Sequence, residues 1–322
     1  MAEDGPHLMS SPDRAETAAA GVVPAVSPTD GLAPPMGSRL GDGLARALQR
    51  LLVAAFFVYI VAFLLLPSAE VLVGAFRGEH GLTLRYVREL LTQRYATAFA
   101  NSVELSLVTA LIGGVCGLAI AYLAVSPRSP HWLRTAVTSF SGVAANFAGV
   151  PLAFAFVSTL GTMGLLTLWL QRMGFDLYAT GFSLFSFSGL AVTYLYFQIP
   201  LMVIIISPAV QALRREWREA ARNLGATPWQ YWRYVGLPIL MPSTLAAMVL
   251  LFGNAFAAYA TPYALTSGNI ALVPIEIGNV LSGNVMSSPQ LGKALALGMI
   301  AVMALAMGAY ALLQRRISRW QR

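Results

Sequence analysis

Few residues in the 322-residue chain have the types and spacing that chemistry requires. The single lysine, Lys293, follows Gly292. A phosphate-cradling loop would need a glycine in place of Ser287 and a hydroxyl in place of Ala294. The one cysteine, Cys116, lies inside an apolar run, while His7, His80 and His131 fall in three unconnected segments. Neither redox chemistry nor a metal-ligand set is expected from them. No nucleophile elbow and no His-rich helix points to an intramembrane hydrolase. Glu70, Glu104 and Glu276 are the carboxylates within or beside apolar runs, where they could meet a cationic solute or pair with nearby arginines. The chain therefore reads as one without catalytic machinery and without a cofactor.

The densest polar block runs from Glu216 to Pro238, "EWREAARNLGATPWQYWRYVGLP". Trp217, Ala220, Ala221 and Leu224 recur at i, i+3, i+4 and i+7 and share one helical face, with Arg215, Glu219 and Arg222 on the other. Arg215 and Glu219 stand one turn apart and can pair. Gly225 can take the left-handed conformation that ends a helix. Thr227, Pro228 and Gln230 then form the pattern of a capping box with proline at the first helical position. A second helix follows and is expected to end before Pro238. The block thus reads as helix, tight glycine turn, helix.

Long apolar elements flank it. Hydrophobic residues make up 57% of the chain and charged ones 11%, against about 45–50% and about 25% in soluble domains, which indicates an all-α integral membrane protein. Crossing roughly 30 Å of hydrocarbon takes about 20 helical residues. Six runs meet that length, at about 51–76, 101–125, 135–161, 183–210, 243–266 and 291–313. The shorter stretch 165–173 is expected to lie as an interfacial helix. With the N-terminus inside, the inner segments carry fourteen arginines, from Arg39 to Arg322, and the outer ones five, from Arg77 to Arg172. That asymmetry puts both termini and the polar block in the cytoplasm. It also accounts for the net charge of +7 through topology and membrane lipid, with no call for nucleic acid. Residues 1–48, rich in Pro, Ala, Gly and Ser, are expected to be a disordered cytoplasmic tail without the pattern of a signal peptide. Residues 49–322 are expected to form the transmembrane domain.

Two uses of the block compete: an amphipathic pair resting on headgroups, or a docking knob. The small residues Ala220, Ala221 and Gly225 make a poor lipid anchor and allow close approach of another protein. The run "EAARNLG", nine further residues and "VGLP" resembles the signature loop of binding-protein-dependent ABC importer permeases. Glu219, Ala220, Ala221, Gly225, Val235, Leu237 and Pro238 match it, with Val where Ile is commonest. The Asn101-Ser102 pair opening the second run and the six spans are similar to that family too. The resemblance implies a coupling helix between spans four and five. It would put Glu219, Ala220, Ala221, Arg222, Gly225, Ala226, Leu237 and Pro238 at a docking site for an ATPase. It further implies a second permease subunit, two ATP-binding subunits and an extracytoplasmic solute-binding protein as partners, in a bacterial inner membrane.

The pathway is less marked. Asn254, Tyr259 and Thr261 are candidates for its lining, against helix packing through Gly253, Ala255, Ala257 and Ala258. The region "FGNAFAAYATPYALT" looks similar to the polyamine and iron branch of the family. A small charged solute such as a polyamine is therefore the leading expectation; sulfate, phosphonate, iron, thiamine and sugars stay open. A stand-alone secondary transporter would need internal repeats and ionisable groups at mid-membrane, and a structural subunit would need no pathway.

Overall fold

Apolar runs of this length must satisfy every backbone N–H and C=O internally, and the chain does so with helices. The computed structural model describes residues 36–78, 81–126, 129–282 and 289–318. The elements are α1 (Met36–Ile60), α2 (Leu66–Gly74), a two-residue hairpin of β1 (Arg77–Gly78) and β2 (Gly81–Leu82), α3 (Arg85–Glu89), α4 (Gln93–Val125), α5 (His131–Asn146), α6 (Val150–Leu160) and α7 (Leu165–Arg172). Then come α8 (Phe187–Gln211), α9 (Arg215–Asn223), α10 (Pro228–Tyr231), α11 (Leu237–Phe256), α12 (Ala260–Thr266), α13 (Val273–Ser282) and α14 (Pro289–Ser318). Contacts divide the chain into two units, residues 1–62 and 63–322. His7, His80, Ser287, Arg128, Arg319 and Arg322 lie outside the described residues, as does most of the expected tail. Helix α1 starts at Met36, inside the segment expected to be tail.

Among the described residues, six apolar helical stretches are long enough to cross a membrane: Leu48–Gly74, Gln93–Val125, Val150–Arg172, Phe187–Gln211, Pro228–Phe256 and Pro289–Arg316. One expectation is corrected here. The run expected as a single third span, 135–161, is broken at residues 147–149. Gly149 takes φ 75°, and Pro151 stands in the first turn of α6, where its missing N–H costs nothing. The stretch 165–173, expected as a separate interfacial helix, is the separate short helix α7, and the third apolar stretch, Val150–Arg172, takes in both α6 and α7.

Pro238 does not end the helix before it. Residues Trp232–Gly236 form a π-turn in which the Leu237 N–H reaches back five residues to the Trp232 carbonyl, and α11 continues with Pro238 in its first turn. The same device precedes Pro67, where a π-turn over Val61–Leu65 leads into α2. Widening the turn relieves the clash between a proline ring and the carbonyl four residues back. The fifth apolar stretch therefore starts at Pro228, ends at Phe256, and leaves 260–266 as a separate short helix.

The core of the second unit is α4 against α8 and α11, with Met202, Val203, Ile206, Val210, Leu240, Leu251 and Phe256 buried among them. Close approach of α4 to α8 depends on Gly117, where a Cβ would stand 2.8 Å from the Ile199 carbonyl oxygen and 2.5 Å from Met202 Cβ. The buried Gln198 amide donates to the Leu251 carbonyl at 3.0 Å and joins α8 to α11.

Candidate functional site

Helix α9 carries Glu216 in its first turn and Arg222 in its last, as the helix dipole favours. Arg215 Nε donates to Glu219 Oε1 at 2.8 Å, the expected pair one turn apart. With side chains 74% and 57% exposed it contributes only a few tenths of a kcal/mol. The helix ends in a Schellman turn: the Gly225 N–H donates to the Arg222 carbonyl and the Ala226 N–H to the Ala221 carbonyl, both at 2.9 Å, with Gly225 at φ 77°. The capping box forms as the sequence indicates. The Gln230 N–H donates to Thr227 Oγ1 at 3.3 Å and the Thr227 N–H to Gln230 Oε1 at 2.7 Å.

The side of α9 turned toward the other helices is not the apolar stripe read from the sequence. Arg218 and Ala221 are half-buried, whereas Trp217, Ala220 and Leu224 are exposed, Leu224 at 87%. Arg218 Nη2 donates to the Tyr122 hydroxyl at 2.6 Å, and its guanidinium lies 5.2 Å from the centroid of the Tyr231 ring. Trp232 meets Tyr122 edge to face at 4.7 Å, and Gly236 leaves room for the Trp232 ring, which a Cβ there would approach to 2.9 Å. Tyr122 lies in the last turn of α4, so the loop is fastened to the second apolar stretch. Arg218, Tyr122 and Trp232 were missed in the sequence because the partners are far apart in the chain. The one available signal was an arginine one residue away from an apolar stripe.

Among the residues read as a docking site, Glu219, Ala220, Arg222 and Gly225 are exposed together on α9 and its turn, and none of α9 is buried. Ala221 and Ala226 are half-buried toward Tyr122, while Leu237 and Pro238 belong to the first turn of α11. Asn254 is exposed on α11, and Tyr259, 41% exposed, stacks on Tyr263 with centroids 5.3 Å apart. Thr261 does not line an open space. It is 3% exposed, and its hydroxyl accepts from the Gly149 N–H at 2.7 Å, satisfying the break before α6.

A second polar cluster lies at the other end of α4. Arg94 donates to Glu276 Oε2 from Nη2 at 2.8 Å and from Nε at 3.2 Å, with the glutamate side chain 7% exposed. Asn101 Nδ2 donates to the Ala271 carbonyl at 3.1 Å, and Ser102 Oγ accepts from the Val273 N–H at 2.9 Å. The Asn-Ser pair therefore holds the start of α13. Glu70 accepts from Lys293 Nζ at 2.6 Å and stands 3.7 Å from Arg77. Of the three carboxylates, Glu70 and Glu276 thus pair with basic groups of this chain. Glu104 is exposed, with no partner among the described residues. Among those residues no group of three or more His, Cys, Asp and Glu could hold a metal ion.

Six apolar helical stretches among the described residues, with one exposed helix, turn and helix fastened to the second of them, define a polytopic helical membrane protein. The chain belongs to the family of binding-protein-dependent transport system inner membrane components, whose family model matches residues 132–319. It is a permease subunit of an ABC importer. It is 31% identical over 176 residues to the probable sulfate transport system permease protein cysT of Nephroselmis olivacea, a match that spans 54% of this chain and 58% of that protein. To the spermidine/putrescine transport system permease protein PotB of Haemophilus influenzae it is 26% identical over 275 residues, 81% of this chain and 92% of the relative. A chain in the crystal structure of a bacterial ABC transporter involved in the import of the acidic polysaccharide alginate superposes with a TM-score of 0.66. That match covers 87% of this chain and 99% of the other at 17% identity, a likeness of fold.

Proposed function

We propose that this chain forms one half of the translocation pathway of an ATP-driven importer, and that α9 is the coupling helix on which a cytoplasmic ATP-binding subunit docks. The carrying observation is the exposure of Glu219, Ala220 and Arg222 on a helix that buries none of its own residues, with Gly225 exposed in the turn that follows. An element so placed gains its apolar contacts from another chain. The arginine bias puts α9 and both termini in the cytoplasm and the α3 and α13 segments outside. A second permease subunit completes the pathway, two ATP-binding subunits drive it, and an extracytoplasmic binding protein supplies the solute. Asn254 and Tyr259 are the lining candidates that exposure supports.

The solute is a small charged one. The polyamine reading is supported by the length of the match to PotB. A sulfate reading is favoured by the pairing of Glu70 and Glu276 with Lys293 and Arg94, which leaves fewer carboxylates for a cation, and by the identity to cysT. Affinity purification of the tagged chain from its native membrane tests the docking. The wild type should bring down ATPase activity and Glu219→Lys should not; retention by Glu219→Lys would overturn this use of the loop. Uptake of labelled spermidine against labelled sulfate in cells lacking and regaining the chain separates the two solutes.

A further inference from the structure

We infer that the contact of Arg218 with Tyr122 is the strut through which α9 moves the second span; this rests on the importer reading and deepens it. Helix α9 buries none of its residues. Among the described residues, its only side-chain hydrogen bond to another helix is that of Arg218 to Tyr122. A cavity of about 90 Å³ lies on one side of that contact, bounded by Ser126, Leu213 and Arg214. Another of about 210 Å³ lies on the other side, bounded by Ala226, Thr227 and Trp232. Trp232, in the segment after the glycine turn, also meets Tyr122 edge to face, and Arg218 is the bridge that α9 itself makes.

The bridge suits the task. A guanidinium is planar and presents several donors, so it can hold the Tyr122 hydroxyl at its edge while its face lies over the Tyr231 ring. Tyr122 in turn packs against the core formed by α4, α8 and α11. Helix α4 runs 33 residues without a proline, about 50 Å at 1.5 Å per residue. Its far end is pinned to α13 by Arg94, Asn101 and Ser102. A displacement entering at Tyr122 thus reaches the opposite end of the span through one stiff element. Arg218 and Tyr122 are positioning residues, since neither is asked to touch solute or nucleotide.

The native Cys116 supplies a reporter, being exposed on α4 and the only cysteine of the chain. The tagged full complex is purified and a nitroxide is placed on Cys116, with accessible cysteines of the other subunits replaced. Its spectrum is recorded without nucleotide and after trapping with ATP and vanadate. The wild type should change between the two states. Tyr122→Phe and Arg218→Gln should keep the ATPase at wild-type amounts and keep hydrolysing, yet lose most of the change. The double variant should be no worse than either single one, because both cut the same link. Arg218→Lys keeps the charge near Tyr231 and should restore part of the response. A wild-type-like response in Tyr122→Phe and Arg218→Gln would overturn the strut, as would an additive double variant or an unresponsive wild type with ATPase bound. Absence of any ATPase from the wild-type complex would sink the docking reading itself, and the strut with it.

Discussion

The two ends of α4 are held by polar contacts of opposite construction. At Tyr122 the partner is a loop built from its own bonds: a pair one turn apart, a Schellman turn and a capping box, all between residues at most five positions apart, with most of the surface exposed. At Arg94, Asn101 and Ser102 the partners are 170 to 182 residues away, and Glu276, Ser102 and the Val273 N–H are buried while Arg94 itself is 63% exposed. The first arrangement gives a stiff knob that keeps its shape whatever it touches. The second gives a seam whose strength comes from desolvation, since a buried carboxylate or N–H without its partner is costly.

Substitutions should separate the two. The largest effect is expected for Arg94→Ala, which leaves the Glu276 carboxylate buried and unpaired. The detergent-solubilised chain should lose about 2–3 kcal/mol, read as a lowered thermal midpoint, and Glu276→Gln on that background should recover most of it. Gly225→Val comes next, because a β-branched residue at φ 77° costs about 1–2 kcal/mol. That cost should fall on the turn alone: co-purified ATPase should drop while the thermal midpoint stays near wild type. A midpoint lowered as far as in Arg94→Ala would mean that the knob is not independent of the bundle. Ser102→Ala leaves the Val273 N–H without its acceptor and should cost about 1 kcal/mol, visible as faster amide exchange at the start of α13. Smallest is Arg215→Ala, which removes an exposed pair worth about 0.3–0.5 kcal/mol and should leave the midpoint unchanged.

The same division explains what could be read in advance. The six apolar stretches follow from length and composition, and the glycine turn and capping box follow from residue types a few positions apart. Proline misled the reading, because a stop at Pro238 assumes an α-helical turn before it, and the π-turn removes the clash that would enforce the stop. The break at 147–149 was written in Gly149 and Pro151 but masked by apolar residues on both sides. Thr261 looked like a polar group facing a cavity; its acceptor role toward Gly149, 112 residues away, depends on two breaks meeting in space.

By itself the sequence determined that the chain crosses a membrane with long apolar helices, and that one polar block folds as helix, turn and helix. Those outcomes rest on solvent transfer and on hydrogen bonds within a single turn, which need no distant partner. The tertiary structure decided which face of α9 turns inward, that Arg218 reaches Tyr122, and that Glu276 and Glu70 are held by basic groups of the chain. Each of these depends on side chains brought together by helix packing, where a fraction of a turn about the axis changes the neighbour while the residue type stays the same.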